Sequence, residues 1–138
     1  MAVSETYAGN IIVVKGGDEF QAKASGALSE GRFVTLNTTV TDDITVSLAS
    51  ADEAEVLGFV DTDWGAGERA TVYTGGIARL EDSGSGVTIG TRVSCGTDGT
   101  IKTYASGTTA SIVGIALETI SASEFGKVLV NISHEEGR

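Results

Sequence analysis

The sequence predicts an all-β protein, a small β-barrel or a tulip-like or sandwich domain, and three observations carry that prediction. The 138 residues include 19 glycines and many threonines, serines and valines, with few helix formers besides alanine. That composition suits short strands joined by tight turns. Compact or alternating apolar runs recur every roughly 8–12 residues with turn residues between them, the spacing of a sandwich or barrel. The third observation is an approximate internal repeat. "EGRFVTL" (30–36) resembles "IGTRVSC" (89–95), matching Gly31 to Gly90 and Val34 to Val93. "VLGFV" (56–60) resembles "IVGIAL" (112–117), matching Gly58 to Gly114, and "RATVYT" (69–74) resembles "KVLVNI" (127–132). The offsets are 59, 56 and 58, a period of about 58 residues. Two such copies make either two similar sheets or the halves of one barrel.

The elements follow in order. Residues 1–25 lie outside the repeat. Their β-prone run Ile11, Ile12, Val13 and Val14 ends at Gly16-Gly17. The segment reads either as an edge strand or as an N-terminal arm that adds a strand to a neighbouring protein. Residues 26–133 form one β domain, with the copies at 26–80 and 86–133, and 134–138 form a polar tail. The first copy holds strands near 33–36, 44–48, 56–60, 70–73 and 77–80, with turns at Asp42-Asp43, at Gly65-Ala66-Gly67 and at Gly75-Gly76. Residues 47–57 lack a clean helical stripe and read as one helical turn or a loop. The second copy holds strands near 87–95, 101–104, 112–117 and 128–132.

Within "VSCGTDGTIKTY" (93–104), a two-residue Asp98-Gly99 loop would pair Cys95 with Lys102. A three-residue loop, Thr97-Asp98-Gly99 with Gly99 left-handed, pairs Cys95 with Ile101 and keeps one face apolar. The second register is expected.

Composition narrows the function. The net charge is −10 and unevenly placed: residues 1–85 hold 14 acids and 5 bases, whereas 86–133 hold 3 of each. No basic surface is available to neutralise phosphates, so nucleic acid is not an expected partner. An acidic face toward solvent and a neutral face toward a partner is one reading, and acids kept for solubility is the other. No apolar run approaches the ~18 residues of a membrane span. The start "MAVSETYAGN" lacks signal-peptide features, so synthesis in the cytoplasm and no membrane association are expected. A single cysteine permits no internal disulfide. There is no proline, where average usage of about 5% predicts about seven, so strand edges must be protected by charge, bulges or a partner.

Candidate chemistry is thin. A nucleophilic Cys95 would need a base, and the only histidine, His134, lies in the charged tail. Cys95 shares a strand face with Val93, which makes it a core residue. Asp82-Ser83-Gly84 matches the tripeptide of aspartic proteases, but Glu81 before it and Ser85-Gly86 after it read as a solvated loop. Asp61, Asp63 and Glu68 sit among glycines without the full pattern of a calcium loop, so calcium at 61–68 stays open beside a plain acidic turn. Trp64, in the same loop, is either tucked beneath it or exposed as an interface anchor. With no phosphate-binding glycine loop and no His/Cys cluster, no catalytic residue, cofactor or metal site is assigned, and the chain reads as a non-enzyme.

The order of motifs after Ile89 carries a resemblance. "IGTRVSC…DGTIKTYASGTTASIVGIALETISASEFGKVLVNIS" resembles the closing half of the capsid decoration, or cement, proteins of tailed phages. The shared order is a G-x-x-V strand (Gly90 to Val93), a D/N-G hairpin (Asp98-Gly99) and a Thr/Ala-rich strand (Thr103 to Thr109). A short G-x-A-L strand (Gly114 to Leu117), a small-residue loop (Ser121 to Ser123) and an alternating strand (Val128 to Ile132) complete it. About 45 residues fit well; 26–36 and 67–80 fit loosely, and 37–57 is longer and more acidic than the pattern. The resemblance implies a structural virion protein on the outer capsid surface, usually a homotrimer, stabilising the shell by bridging subunits of the major capsid protein. It also implies an N-terminal arm reaching the shell. On that reading Ile11, Ile12, Val13 and Val14 are the shell-binding residues and Trp64 is an inter-subunit anchor. The alternative is a β-sandwich adhesion or carbohydrate-binding module of a fibre or tail.

Overall fold

Strands form where apolar residues alternate or cluster. The computed structural model describes residues 11–39 and 43–132. Its strands are β1 (Ile12–Ala24), β2 (Arg32–Leu36), β3 (Thr45–Leu48), β4 (Val56–Val60), β5 (Arg69–Glu81), β6 (Arg92–Cys95), β7 (Ile101–Thr103), β8 (Gly114–Ala116) and β9 (Phe125–Asn131). They make one mixed sheet in the order β1-β3-β2-β4-β5-β9-β8-β6-β7, and β1 also pairs with β5. The first five strands therefore form a closed ring. The other four continue from the second half of β5, and a parallel bridge between Asp82 and Ile101 brings β7 back beside the end of β5. The all-β expectation holds, and residues 49–55 are loop and turn.

Two glycine pairs behave differently from expectation. Gly16-Gly17 and Gly75-Gly76 read as turns, but both lie inside 13-residue strands, β1 and β5. The physical reason is contact between the two strands. Gly16 pairs with Gly75 and Lys15 with Gly76. A Cβ on Gly76 would lie 2.3 Å from the Val14 carbonyl oxygen. The glycines let two long backbones cross closely where they pass from the first ring into the second half of the sheet.

The halves repeat one hydrogen-bond pattern. Leu28 and Trp64 exchange N–H···O bonds of 2.9 Å each, and Val87 and Ile120 do the same at 2.9 and 2.8 Å. The Gly31 N–H donates to Val60 O as the Gly90 N–H donates to Ala116 O. Gly58 is pressed against the Tyr73 carbonyl as Gly114 is against that of Leu129. The last equivalence fixes an offset of 56, so Thr71, rather than Arg69, matches Lys127. The alternating pattern of a strand is unchanged by a two-residue slip, which is why the sequence match missed it.

Two apolar clusters result. One fills the first ring, with Leu28, Val34, Val46, Val60 and Val72 among its members. The other joins the inner face of the second half, including Leu80, Val93, Ile101 and Val128, to Phe33 and Phe59 from the far face of β2 and β4. Cys95 pairs with Ile101, as expected, across the Thr97–Gly99 turn. Gly99 is left-handed at φ 81°, and Asp98 joins it at φ 55°.

Candidate functional site

Alternation decides which side chains leave the core. Ala78, Leu80, Val93, Ala116, Val128 and Val130 point inward and are buried. Their neighbours Ile77, Arg92, Ile115 and Leu129 therefore point outward. The strand registers set these in one cross-strand row, Val14–Ile77–Leu129–Ile115–Arg92, over β1, β5, β9, β8 and β6. Val14 is 46% exposed, Leu129 43% and Ile115 39%, and Leu117 extends the apolar strip beyond β8. Ile112 and Asn131 join Arg92, Ile115 and Leu129 around a shallow groove on this face. Arg79, Arg92 and Lys127 supply positive charge there. Glu81, at one end of the outward side of β5, is held by Arg32 at 2.9 Å. Glu118 accepts the Lys127 N–H through Oε2. An apolar and basic sheet face that none of the described residues covers, on a chain of net charge −10, is the candidate interaction surface.

The first half shows what such a face does when covered. The equivalent row there is Glu19–Tyr73–Phe59–Phe33. Phe33 and Phe59 are fully buried and meet edge to face, with centroids 6.3 Å apart at 85°. Phe59 also packs on Tyr73 at 5.8 Å. The second half of the chain covers this row. Where the first half has Phe33, Phe59 and Tyr73 under cover, the second has Arg92, Ile115 and Leu129 in the open. The sequence reading missed the exposed row. The signal was present in the repeat itself, which exchanges Phe33 for Arg92.

A second surface feature lies on the first half. Leu36 and Leu57 floor a shallow groove with Thr35 and Thr38, and Glu53 and Glu55 line it. Leu36 is 45% exposed.

The residues singled out by sequence fall as follows. Ile11 and Ile12 are buried in the core, 3% and 1% exposed. Val13 is half-buried and Val14 is exposed, at the end of the apolar row. Residues 12–24 of the expected arm or edge strand belong to β1, whose last residues pair with both β3 and β5. The rest of the expected arm, 1–10, and His134 lie outside the described residues. Trp64 is half-buried against the first-ring core, with its indole Nε1 buried and without a hydrogen-bond partner among the described residues.

The three loop carboxylates serve separate ends. Asp63 accepts the Glu30 N–H at 2.9 Å and Glu68 accepts the Gly65 N–H at 2.6 Å. Asp61 is buried, and its pKa is raised chiefly by desolvation, against the opposing effect of hydrogen bonds from backbone and from Tyr73. No group of three or more metal-ligating side chains occurs among the described residues.

Asp82 corrects the expectation of a solvated loop. It is 2% exposed, and its Oδ2 accepts N–H groups of Gly84, Gly86 and Ser123 at 2.8, 2.9 and 3.2 Å. Its carboxylate organises two loops. Cys95 is fully buried, and burial pushes its thiol pKa up to about 12, the opposite of an activated nucleophile.

A family profile described as phage cement protein matches residues 8–132, both halves of the sheet. The chain belongs to the phage cement protein family. It is accordingly a structural component of phage capsids. No curated protein matches the chain. Among solved structures it is similar to the N base of the head fiber gp8.5 of bacteriophage phi29. That match has a TM-score of 0.62 and 20% identity, over 85% of this chain and 98% of that one. At that identity the likeness shows a shared fold and nothing further.

Proposed function

We propose that this cement protein binds the outer surface of an assembled capsid as a homotrimer and stabilises the shell by bridging subunits of the major capsid protein. The family match across residues 8–132 carries the reading. The uncovered apolar row supplies the kind of surface that such binding needs. Of the run 11–14, Val14 is the residue most available for contact, and Trp64 keeps an exposed part at the rim of the first half. Free trimers repel one another through the net charge of −10 on each chain and stay dispersed. Once on a repeating lattice, several weak contacts per trimer act together, so binding is tight without any single strong contact.

Co-sedimentation with purified expanded and unexpanded shells tests this, using the full chain and a chain lacking residues 1–10. The full chain is expected to pellet saturably with expanded shells and to raise the temperature at which they disrupt. Failure to pellet with either shell refutes capsid binding. Pelleting without any gain in shell resistance refutes bridging. A carbohydrate-binding module would need several exposed rings. Among the described residues Phe125, at 43%, is the one exposed large aromatic, which favours the capsid reading.

A further inference from the structure

We infer that the uncovered row is a contact between copies of this chain, made head to tail: the Arg92–Ile115–Leu129 face of one copy sits on the groove around Leu36 and Glu55 of the next. The inference rests on the self-associating capsid protein proposed above and assigns surfaces to it.

The internal repeat supplies the first argument. The same sheet face exists twice in the molecule. In the first half it is covered by β structure, through Phe33, Phe59 and Tyr73. In the second half nothing among the described residues covers it, yet Ile77, Ile115 and Leu129 keep it apolar.

Charge supplies the second. The face carries Arg92, with Lys127 two residues from Leu129 on the same side of β9, and the other groove carries Glu53 and Glu55 beside Leu36 and Leu57. Apolar atoms meet apolar atoms, and opposite charges meet at the rim. Two such faces packed on each other would instead bring Arg92 and Lys127 of both copies together. That disfavours a symmetric face-to-face dimer.

Position supplies the third. The two surfaces adjoin along one seam. The Ser111 hydroxyl donates to Ala54 O at 2.6 Å and the Ser111 N–H donates to Glu53 O at 3.3 Å. Ser111 is the neighbour of Ile112, on the face, and Glu53 lines the groove. Head-to-tail contacts give rings or filaments. Surfaces that share a seam turn each copy sharply against the next, which closes a small ring.

Mass measurement by light scattering or ultracentrifugation tests this without any capsid. The wild-type chain at tens of micromolar is expected to run at a multiple of 14.1 kDa. Leu129→Asp, which spoils the face, and Leu36→Asp, which spoils the groove, are each expected to run at 14.1 kDa. Both residues are exposed, and an unchanged far-ultraviolet circular dichroism spectrum checks that the fold survives. Ile115→Asp should repeat the Leu129→Asp result. An equimolar mixture of Leu129→Asp and Leu36→Asp keeps one good face and one good groove, so it is expected to give a two-copy species. A wild type at 14.1 kDa overturns the inference. So does either variant retaining the wild-type mass, or a mixture that stays at single-copy mass. Should the wild type be a single copy and Leu129→Asp lose shell binding, the occupant of the face is the shell instead. A wild type that assembles as stated but fails to pellet with shells would refute the capsid reading alone.

Discussion

Gly114→Ala examines the close strand contact that anchors each half of the molecule. An ideal Cβ at Gly114 would lie 2.3 Å from Leu129 O and 3.0 Å from Val128 Cγ1. Ordinary contact distances are about 3.5 Å, so β8 and β9 would have to part by about 1 Å. The carbonyl cannot rotate away, because it belongs to the strand. Overpacking of this kind costs about 1–3 kcal/mol, and a weakened ladder hydrogen bond adds about 1 kcal/mol. The expected loss is therefore about 3 kcal/mol, a large part of the ~5–15 kcal/mol of a typical domain. Gly58→Ala should lose a similar amount, since its Cβ would lie 2.4 Å from Tyr73 O. Gly90 provides a control: nothing lies within 4 Å of its Cβ, but its φ is +83°. Gly90→Ala should pay only the left-handed backbone strain, about 1–2 kcal/mol. Gly26→Ala meets neither obstacle and should be neutral or stabilising by up to about 1 kcal/mol. Urea unfolding followed by circular dichroism, with unchanged m-values, measures all four. A Gly114→Ala loss no larger than that of Gly90→Ala would refute the close-contact argument.

Three further outcomes are expected. Cys95 should resist a thiol reagent at pH 8 until the chain unfolds. Because its pKa is about 12 in the fold, the stability this provides is intact below the unfolded thiol pKa and is lost as pH rises from about 9 toward 12, by on the order of 1 kcal/mol per unit. Cys95→Ala should remove that alkaline slope, and urea unfolding at pH 8 and 10 would show whether it does. Asp61, with a raised pKa, favours the fold when protonated and loses that benefit as pH rises through its folded pKa. Asp61→Asn should thus gain on the wild type between pH 4 and pH 7; a gap independent of pH would contradict the burial argument. Asp82→Ala leaves three backbone N–H groups without their acceptor and should cost about 2–3 kcal/mol by thermal melt, with Asp82→Asn costing less because an oxygen remains.

The hairpin around Asp98-Gly99 was legible because two local rules agree. A three-residue turn with a left-handed glycine and an apolar face both select Cys95 opposite Ile101. The repeat was legible at Gly31, Gly90, Gly58 and Gly114, where backbone geometry or close contact demands glycine. It slipped by two residues at β9, where only alternation guides the match. Gly16-Gly17 and Gly75-Gly76 misled, since a glycine that permits strand crossing looks in sequence like one that permits a turn. Asp82 looked solvated for a similar reason: its partners, the loops at 84–86 and 123, are brought together only by the fold.

By itself, then, the sequence determined the all-β class, the two-copy plan and the family, because these rest on composition, periodicity and the order of short motifs, which are local properties of the chain. Tertiary structure alone decided which apolar strand faces are covered. Ile12 and Ile115 are equally apolar, and each lies in a β-prone run. Ile12 is sealed into the core by its place in β1, while Ile115 stands in the open because none of the described residues packs across that face of β8 and β9. Burial depends on what packs from a distance, and alternation only reports that a strand has two faces.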